Sequence, residues 1–339
     1  MKEFNFAVLR EMSEEDEASG WVKSALAVKD GKKVVGMRLN KDKILKFYTY
    51  RTDVDKLTQE KLTAIKVKAE AKFKEEEARF ERVNKKVIGL SHPNITKVTY
   101  VGTDTATNET IVVLEYAPGL SIYKTTEGMP VACMAPIFLQ LIDAVVFMHQ
   151  KKLLHLNLKP RRIRIKDDDD GFSFKLKLTD FGYAMDFGKF DEGYLPTPPF
   201  CAPEVAFQQK DKIGATSDLY SVGTIMYYCM ARVLPFPDRE EIETPRELVE
   251  VLKTETEPML LSERRPEALD MPYVGGFKYK VDSEKVKKLE EIVMGLIKKN
   301  VEDRPIKSAL ALAEAVLAIF PEAEANKFTS SATMTMSQK

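Results

Sequence analysis

The sequence predicts an α+β fold in which an N-terminal antiparallel sheet and one long helix precede a mainly helical remainder. In the first part, residues 4–10, 22–28 and 33–39 alternate apolar and polar side chains, as half-buried strands do. Residues 57–90 carry apolar side chains at steps of three, four or seven and contain no proline, which indicates a helix. Residues 131–149 are strongly apolar, as expected of a core helix in a second, helical part.

The same patterns predict the remaining elements. Strands are predicted at residues 97–101 and 110–116, and helices at residues 217–231, 245–253, 283–299 and 306–319. The stretch from residue 322 to the end is polar and finishes in SSATMTMSQK, which predicts a disordered tail.

The composition excludes several classes of partner. The 339 residues include 52 Lys and Arg against 52 Asp and Glu, so nothing points to nucleic acid or to a membrane surface. Cys133, Cys201 and Cys229 are too few and too scattered for a disulfide framework or a zinc site. The N-terminus lacks a hydrophobic signal core, and no run approaches the ~18 apolar residues of a membrane span. We therefore expect a cytoplasmic protein.

The predicted helix at residues 57–90 would be roughly 45 Å long, which is longer than a small domain needs. Its other face is rich in Lys and Glu, with pairs such as Glu70 and Lys74 at helical spacing. Two interpretations stay open. The charged face is a solvated surface, or the helix is a projecting arm for a protein partner, because its apolar stripe continues beyond what the domain covers.

The thirty residues from Leu153 to Gly182 carry the most specific pattern. They predict two short strands joined by an acidic turn at residues 167–170, a solvated hairpin turn that lacks the spacing of calcium ligands. One flanking loop reads His155-Leu156-Asn157-Leu158-Lys159-Pro160-Arg161-Arg162-Ile163, and the other reads Asp180-Phe181-Gly182. These loops resemble the catalytic loop and the metal-binding motif of the eukaryotic-type protein kinase superfamily.

The resemblance implies a bilobal fold. Residues 1–116 would form the small lobe, with an antiparallel sheet and the extended charged helix 57–90 as its αC-like helix. Residues 117–321 would form a mainly helical large lobe, followed by the tail at residues 322–339.

The resemblance also implies architectural roles for five residues. Glu204 of Ala-Pro-Glu and Arg304 of Asp-Arg-Pro match a largely buried ion pair of the family. Asp218 matches the helix aspartate that accepts backbone amides of the catalytic loop. His155 and Phe181 match two members of an internal apolar stack, and we expect no metal or titrating role for His155.

Phosphoryl transfer needs a phosphate cradle, a cation, a metal site and a base. The resemblance places Glu15 and Glu17 at the first two glycine positions of the phosphate loop, and only Gly20 remains. Two carboxylates would face the triphosphate there. Arg38 stands at the position of the strand lysine, and its planar fork does not replace a compact ammonium.

The glutamate that pairs with this lysine in the family is replaced by Val83. Glu81 is close in sequence but faces another side of the helix. A displaced lysine, Lys23 or Lys33, is the remaining candidate for the missing cation.

In the catalytic loop, Asn157 replaces the base aspartate, and a carboxamide takes no proton at neutral pH. Losing a general base typically costs about 10²–10⁴-fold in rate. Arg162 replaces the metal-binding asparagine, which leaves Asp180 alone to hold Mg²⁺. Arg164 stands where the family places an apolar floor for adenine.

A residue that controls activity through phosphorylation in many kinases is also replaced here. Leu156 replaces the arginine that clamps a phosphorylated activation loop in many kinases. Tyr194 and Thr197 still offer hydroxyl groups in the matching segment.

Architectural residues are kept and chemical ones are replaced, which predicts a pseudokinase that acts as a scaffold, an allosteric regulator or a structural subunit. No ATP, Mg²⁺ or other metal is expected to bind, and protein partners are expected, with helix 57–90 as the candidate surface. Two alternatives stay open. One is a pseudokinase that senses nucleotide without turnover, and the other is a weakly active Ser/Thr kinase with rearranged catalytic residues.

Overall fold

A computed structural model describes most of the chain. The described residues are 7–11, 22–49, 58–104, 107–167, 174–190, 198–239, 242, 244–254, 257–264, 273–274, 277–278 and 283–326. The chain divides into two compact units. The first consists of Met1–Ser91 and Thr96–Tyr116, and the second of His92–Ile95 and Ala117–Lys339.

The first unit contains a five-stranded antiparallel sheet with the order β1-β2-β3-β5-β4. Its strands are β1 (Ala7–Glu11), β2 (Val22–Lys29), β3 (Lys32–Leu39), β4 (Val98–Thr103) and β5 (Thr110–Glu115). Asp30 and Gly31 connect β2 to β3 with positive φ angles of 50° and 74°, as a two-residue hairpin turn requires. Alternate residues on one face form a small core, which comprises Ala27, Val34, Ile111 and Val113, with Tyr100 packed against it.

Two helices complete the first unit, α1 (Lys41–Thr49) and α2 (Gln59–Val87). The Thr58 hydroxyl accepts the Lys61 amide and begins α2. Apolar residues on one face of α2, from Ala69 to Val87, are buried, and α2 packs against β4 and β5.

The sequence did not predict α1, which packs against α2. Lys41 of α1 lies 3.1 Å from Glu70, and Ile44 is buried. Leu62 and Ile65 on α2 are half-buried. A nine-residue helix spans too few turns for its apolar stripe to stand out in sequence.

The second unit is mainly helical. Its strands are β6 (Leu120–Ser121), β7 (Leu153–Leu154), β8 (Ile163–Asp167), β9 (Phe174–Leu178), β10 (Met185–Asp186), β11 (Tyr273–Val274) and β12 (Phe277–Lys278). Its helices are α3 (Ile122–Thr125), α4 (Val131–Gln150), α5 (Pro203–Ala206), α6 (Ala215–Ala231), α7 (Pro245–Thr254), α8 (Leu261–Arg264), α9 (Ser283–Leu296) and α10 (Ala309–Ile319). Short 3-10 helices lie at Pro160–Arg162, Lys210–Lys212, Pro237–Arg239, Val301–Asp303 and Pro321–Asn326.

The last 3-10 helix includes residues 322–326, where the sequence predicted a disordered tail. These residues follow Phe320, which is buried, and the Ala323 amide donates to the Phe320 carbonyl. The rest of the predicted tail, residues 327–339, lies outside the described residues.

Helix α4 forms the centre of the second unit. It is long and apolar enough to cross a membrane, but 72% of its most apolar window is buried inside the protein, as in the core helix of a globular domain. Helix α10 packs against α4, and α6 packs against α9. At Gly223 on α6 an added Cβ would lie 2.7 Å from Leu296 of α9, so glycine permits this close helix packing.

A buried ion pair joins distant parts of the second unit. The two oxygens of Glu204 accept from Nη1 and Nη2 of Arg304 at 2.7 and 2.8 Å, and both residues are almost fully buried. Ser217 donates to the same carboxylate, and the Lys298 carbonyl accepts from Arg304 Nε. Both charges are thus compensated by several hydrogen bonds.

We expect Arg304→Met to lower the free energy of unfolding by about 3–5 kcal/mol, because it leaves the buried Glu204 carboxylate without its cation. Chemical denaturation of the full chain measures this change.

Lys253→Met is the matched control, since Lys253 forms an exposed ion pair with Glu250 at 2.9 Å. It should change stability by no more than about 0.5 kcal/mol. An Arg304→Met variant as stable as this control would contradict the role given to the buried pair.

Candidate functional site

The loop that contains Asn157 is held by a buried carboxylate. Asp218 on α6 accepts the amides of His155 and Leu156 at 2.8 and 2.7 Å, and His149 Nε2 lies 2.9 Å from the same carboxylate. Burial alone would raise the pKa of Asp218, but the hydrogen bond and charge of His149, together with His155, hold that pKa below its usual value. Leu156 adopts a positive φ of 56°, an uncommon conformation for a leucine.

His155 contacts the second loop. Its ring lies 5.6 Å from the Phe181 ring, and its Nδ1 accepts the Asn157 amide at 3.3 Å. Burial lowers the pKa of His155 from 6.5 to about 4; Asp218 opposes this shift and Arg162 adds to it. His155 is therefore a neutral ring inside the protein at pH 7.

Arg162 and Asp180 form a direct ion pair between the two loops. Ile163, the first residue of β8, pairs with Leu178, the last residue of β9. Arg162 therefore lies opposite Thr179, the residue before Asp180. The Arg162 carbonyl also accepts the Thr179 amide at 2.8 Å. Both side chains are at most 2% exposed, so the two charges compensate each other inside the protein.

The resemblance to protein kinases implies a magnesium site at Asp180, and the donors present do not fit one. One Asp180 oxygen contacts Arg162, and the other accepts the Gly182 amide at 2.9 Å. Mg²⁺ needs carboxylate oxygens that are open to the ion. Within the described ranges, no group of three or more His, Cys, Asp or Glu residues could hold a metal ion.

Asn157 and Lys159 are buried polar residues of the same loop. Asn157 is 4% exposed, and neither its Oδ1 nor its Nδ2 has a hydrogen-bond partner among the described residues. Lys159 is 6% exposed; its pKa is lowered by burial first and then by the guanidinium groups of Arg162 and Arg161. A buried side-chain amide with neither polar atom partnered is uncommon.

Arg164 extends along the backbone of an adjacent strand. It lies in β8 opposite Ser121 of β6, and its guanidinium donates to the Gly119 carbonyl. Gly119 has a φ of 100°, and an added Cβ would lie 1.9 Å from the Ile165 carbonyl oxygen. The glycine is thus required by the close approach of two backbones.

The first unit contains the other predicted site residues. Arg38 on β3 pairs with Glu109 at 3.6 Å, and both side chains are about one-third exposed. Val83 on α2 is buried and apolar, while Glu81 pairs with Lys85 on the helix surface. Neither Val83 nor Glu81 forms the ion pair between strand and helix that the kinase resemblance implies.

The two candidates for a displaced lysine have other contacts. Lys23 forms an exposed pair with Asp42, and Lys33 lies 5.7 Å from the Tyr116 ring centre. The positions of Glu15, Glu17 and Gly20, and of Tyr194 and Thr197, lie outside the described residues.

Sequence reasoning missed two residues of the second unit. Arg239 is fully buried, and its Nη1 donates to the Pro199 and Cys201 carbonyls at 3.1 and 3.4 Å. No local pattern marks it, because its partners lie about forty residues earlier. The role of His149 had a weak signal, since it is a polar residue near the end of an otherwise apolar helix.

The fold and these loops define a protein-kinase-like domain. Residues 52–315, more than half of the chain, match the family described as protein kinase domain. The chain therefore belongs to the protein kinase superfamily, and the predicted family and fold class are confirmed.

Three curated relatives are named protein kinases. CBL-interacting protein kinase 20 of Oryza sativa subsp. japonica is 38% identical over 111 residues, which are 31% of this chain and 24% of that protein. Maternal embryonic leucine zipper kinase of Xenopus tropicalis is 33% identical over 156 residues, 44% of this chain and 23% of that protein. Serine/threonine-protein kinase DCLK3 of Homo sapiens is 32% identical over 160 residues, 45% of this chain and 24% of that protein. Each match spans about a quarter of the relative's length.

The buried His155 predicts a specific dependence of stability on pH. Below pH 6.5 the unfolded chain binds a proton at His155, whereas the folded protein does not until about pH 4. Its contribution is therefore present above pH 6.5 and is lost as the pH falls towards 4. Between pH 7.5 and 4.5 we expect the wild type to lose about 2–3 kcal/mol more than His155→Phe, by chemical denaturation.

Phe181→Leu serves as the control, because it alters the same ring contact without removing a titrating group. It should keep the pH dependence of the wild type. Equal pH dependence in His155→Phe and the wild type would show that His155 is not held neutral.

Proposed function

We propose that this chain is a pseudokinase, a member of the protein kinase superfamily that transfers no phosphoryl group and acts by binding proteins. The single observation that carries the proposal is the buried Arg162–Asp180 ion pair. A guanidinium takes the place beside Asp180 that a metal ion would need. Binding Mg²⁺ there would first require breaking a buried ion pair, which typically costs about 3–5 kcal/mol.

The remaining parts of the reaction support the same proposal. Asn157 offers a carboxamide where a general base is needed, and a carboxamide does not accept a proton at neutral pH. Arg38 is engaged with Glu109, and the buried Val83 has no charge to offer a lysine. The residues at the metal-binding, base and cation positions thus all differ from the kinase pattern. The Glu204–Arg304 ion pair and Asp218, which stabilise the fold, are retained. We accordingly propose that the chain uses neither ATP nor Mg²⁺ as a cofactor.

Phosphoryl transfer can be measured directly with labelled ATP, Mg²⁺ or Mn²⁺, and a general protein substrate. We expect the purified full chain to give no more labelled product than its Asp180→Ala variant. The reason is that Asp180 is held by Arg162 and that Asn157 accepts no proton.

Incorporation of label above the Asp180→Ala background would contradict the proposal. That outcome would support the alternative of a weakly active Ser/Thr kinase with rearranged catalytic residues, and one relative is named a serine/threonine-protein kinase.

We further propose that the first ten residues of α2 contact a protein partner. Residues 59–68 are largely exposed, and Val67 is 65% exposed between Lys66 and Lys68. Lys61 adds a third exposed cation to this surface. An apolar side chain surrounded by lysines suits a partner surface that is acidic with an apolar centre.

A triple variant tests this surface, Lys61→Glu with Lys66→Glu and Lys68→Glu. Because it reverses three charges without touching the buried face of α2, the melting temperature should stay within about 2 °C of the wild type. Proteins that quantitatively co-purify with the wild type should be at least about tenfold depleted.

A control with equal charge change reverses three exposed lysines of the second unit, Lys151, Lys152 and Lys212. If both triple variants retain the same partners, the helix surface is not the docking site.

A further inference from the structure

Arg239 is a buried charge that has no part in the candidate site. It is the last residue of the 3-10 helix Pro237–Arg239, and its side chain is fully buried. The guanidinium carbon lies 4.3 Å from the ring centre of Phe236 and 5.7 Å from the ring centre of Tyr220, so the cation lies against two aromatic rings. A guanidinium is rarely buried unless its N–H groups are hydrogen-bonded.

The groups that accept hydrogen bonds from Arg239 are backbone carbonyls of one short segment. Its Nη1 donates to the Pro199 carbonyl at 3.1 Å and to the Cys201 carbonyl at 3.4 Å. Between these two residues, the Phe200 carbonyl accepts from the Ser221 hydroxyl at 2.9 Å. Three consecutive carbonyls thus accept hydrogen bonds from side chains that lie 21 to 40 residues later in the chain.

This segment follows the two hydroxyl residues that the sequence offers for phosphorylation, Tyr194 and Thr197. The kinase resemblance implies an arginine at position 156 to contact a phosphorylated residue, and Leu156 carries no charge. Arg239 instead contacts backbone carbonyls, which accept hydrogen bonds whether or not a nearby hydroxyl carries phosphate. Because Arg239 is fully buried, a phosphate would have to leave water to compete for it.

We propose that Arg239, together with Ser221, holds residues 199–201 in one conformation independently of phosphorylation at Tyr194 or Thr197. The segment is then ordered as soon as the chain folds. In a segment that phosphorylation regulates, the added charge supplies the ordering contact instead. This inference concerns the conformation of the segment and does not depend on the proposed lack of phosphoryl transfer.

Hydrogen–deuterium exchange of the purified full chain, measured by mass spectrometry, tests the role of Arg239. The measurement compares the amides of residues 200–207 with those of the core helix α4. We expect Arg239→Met to raise the exchange rate of residues 200–207 by about tenfold or more, and Ser221→Ala by about fivefold, because each variant removes hydrogen bonds to the segment. The exchange rate of α4 should stay within about twofold of the wild type, since the opening is local.

Arg246→Met is the matched control, since Arg246 is an exposed residue of α7 and loses the same charge. It should leave the exchange of residues 200–207 unchanged. The proposal is overturned if Arg239→Met exchanges like this control, or if the exchange of α4 rises as much as that of residues 200–207. Ser221→Ala decides by the same criteria if Arg239→Met does not fold.

A second comparison tests the independence from phosphorylation. We expect the chain after phosphatase treatment and the double variant Tyr194→Glu with Thr197→Glu to exchange residues 200–207 at rates within about twofold of each other. Fast exchange after phosphatase treatment that the double variant suppresses would show that added negative charge orders the segment, and would overturn the proposal.

Discussion

The buried carboxylate of Asp218 determines the conformation of the loop that carries Asn157, Lys159 and Arg162. It accepts two consecutive backbone amides, and the chain reverses at Leu156 with a positive φ angle. A buried charge is tolerated only when it is paired or hydrogen-bonded. Here His149 is the third group in contact with the Asp218 carboxylate. These hydrogen bonds fix the backbone of His155 and Leu156, from which the rest of the loop continues.

The loop resembles the catalytic loop of a kinase, but its side chain at position 162 differs in chemistry from the one in the family pattern. The pairing of β8 with β9 places position 162 opposite Thr179, the residue before position 180. With an asparagine at 162, the pattern of the family, the pair offers oxygen ligands to a metal. With arginine, it forms a closed ion pair instead. Fold membership is thus compatible with either chemistry, and the side chains at a few positions distinguish the two.

Much of the architecture was predictable because it is encoded locally. The strands of the first sheet and the long helix each have a periodic pattern within one segment, and the core helix α4 is one strongly apolar segment. The helix α1 was missed because its nine residues are too few to show such a pattern. It matters for the long helix, since α1 packs against α2. The contacts of Arg239 were equally invisible, because they join residues far apart in the chain.

The sequence by itself determined the family and the chemical identity of each site position, because charge, proton affinity and hydrogen-bonding capacity are properties of a side chain. It established that a carboxamide replaces a carboxylate at Asn157 and that a guanidinium replaces a carboxamide at Arg162. Only the tertiary structure decided that Arg162 neutralises Asp180 and that the Asn157 side chain is buried without a partner among the described residues. Such pairings depend on strand register and on burial, which arise from contacts between distant segments and leave no local pattern in the sequence.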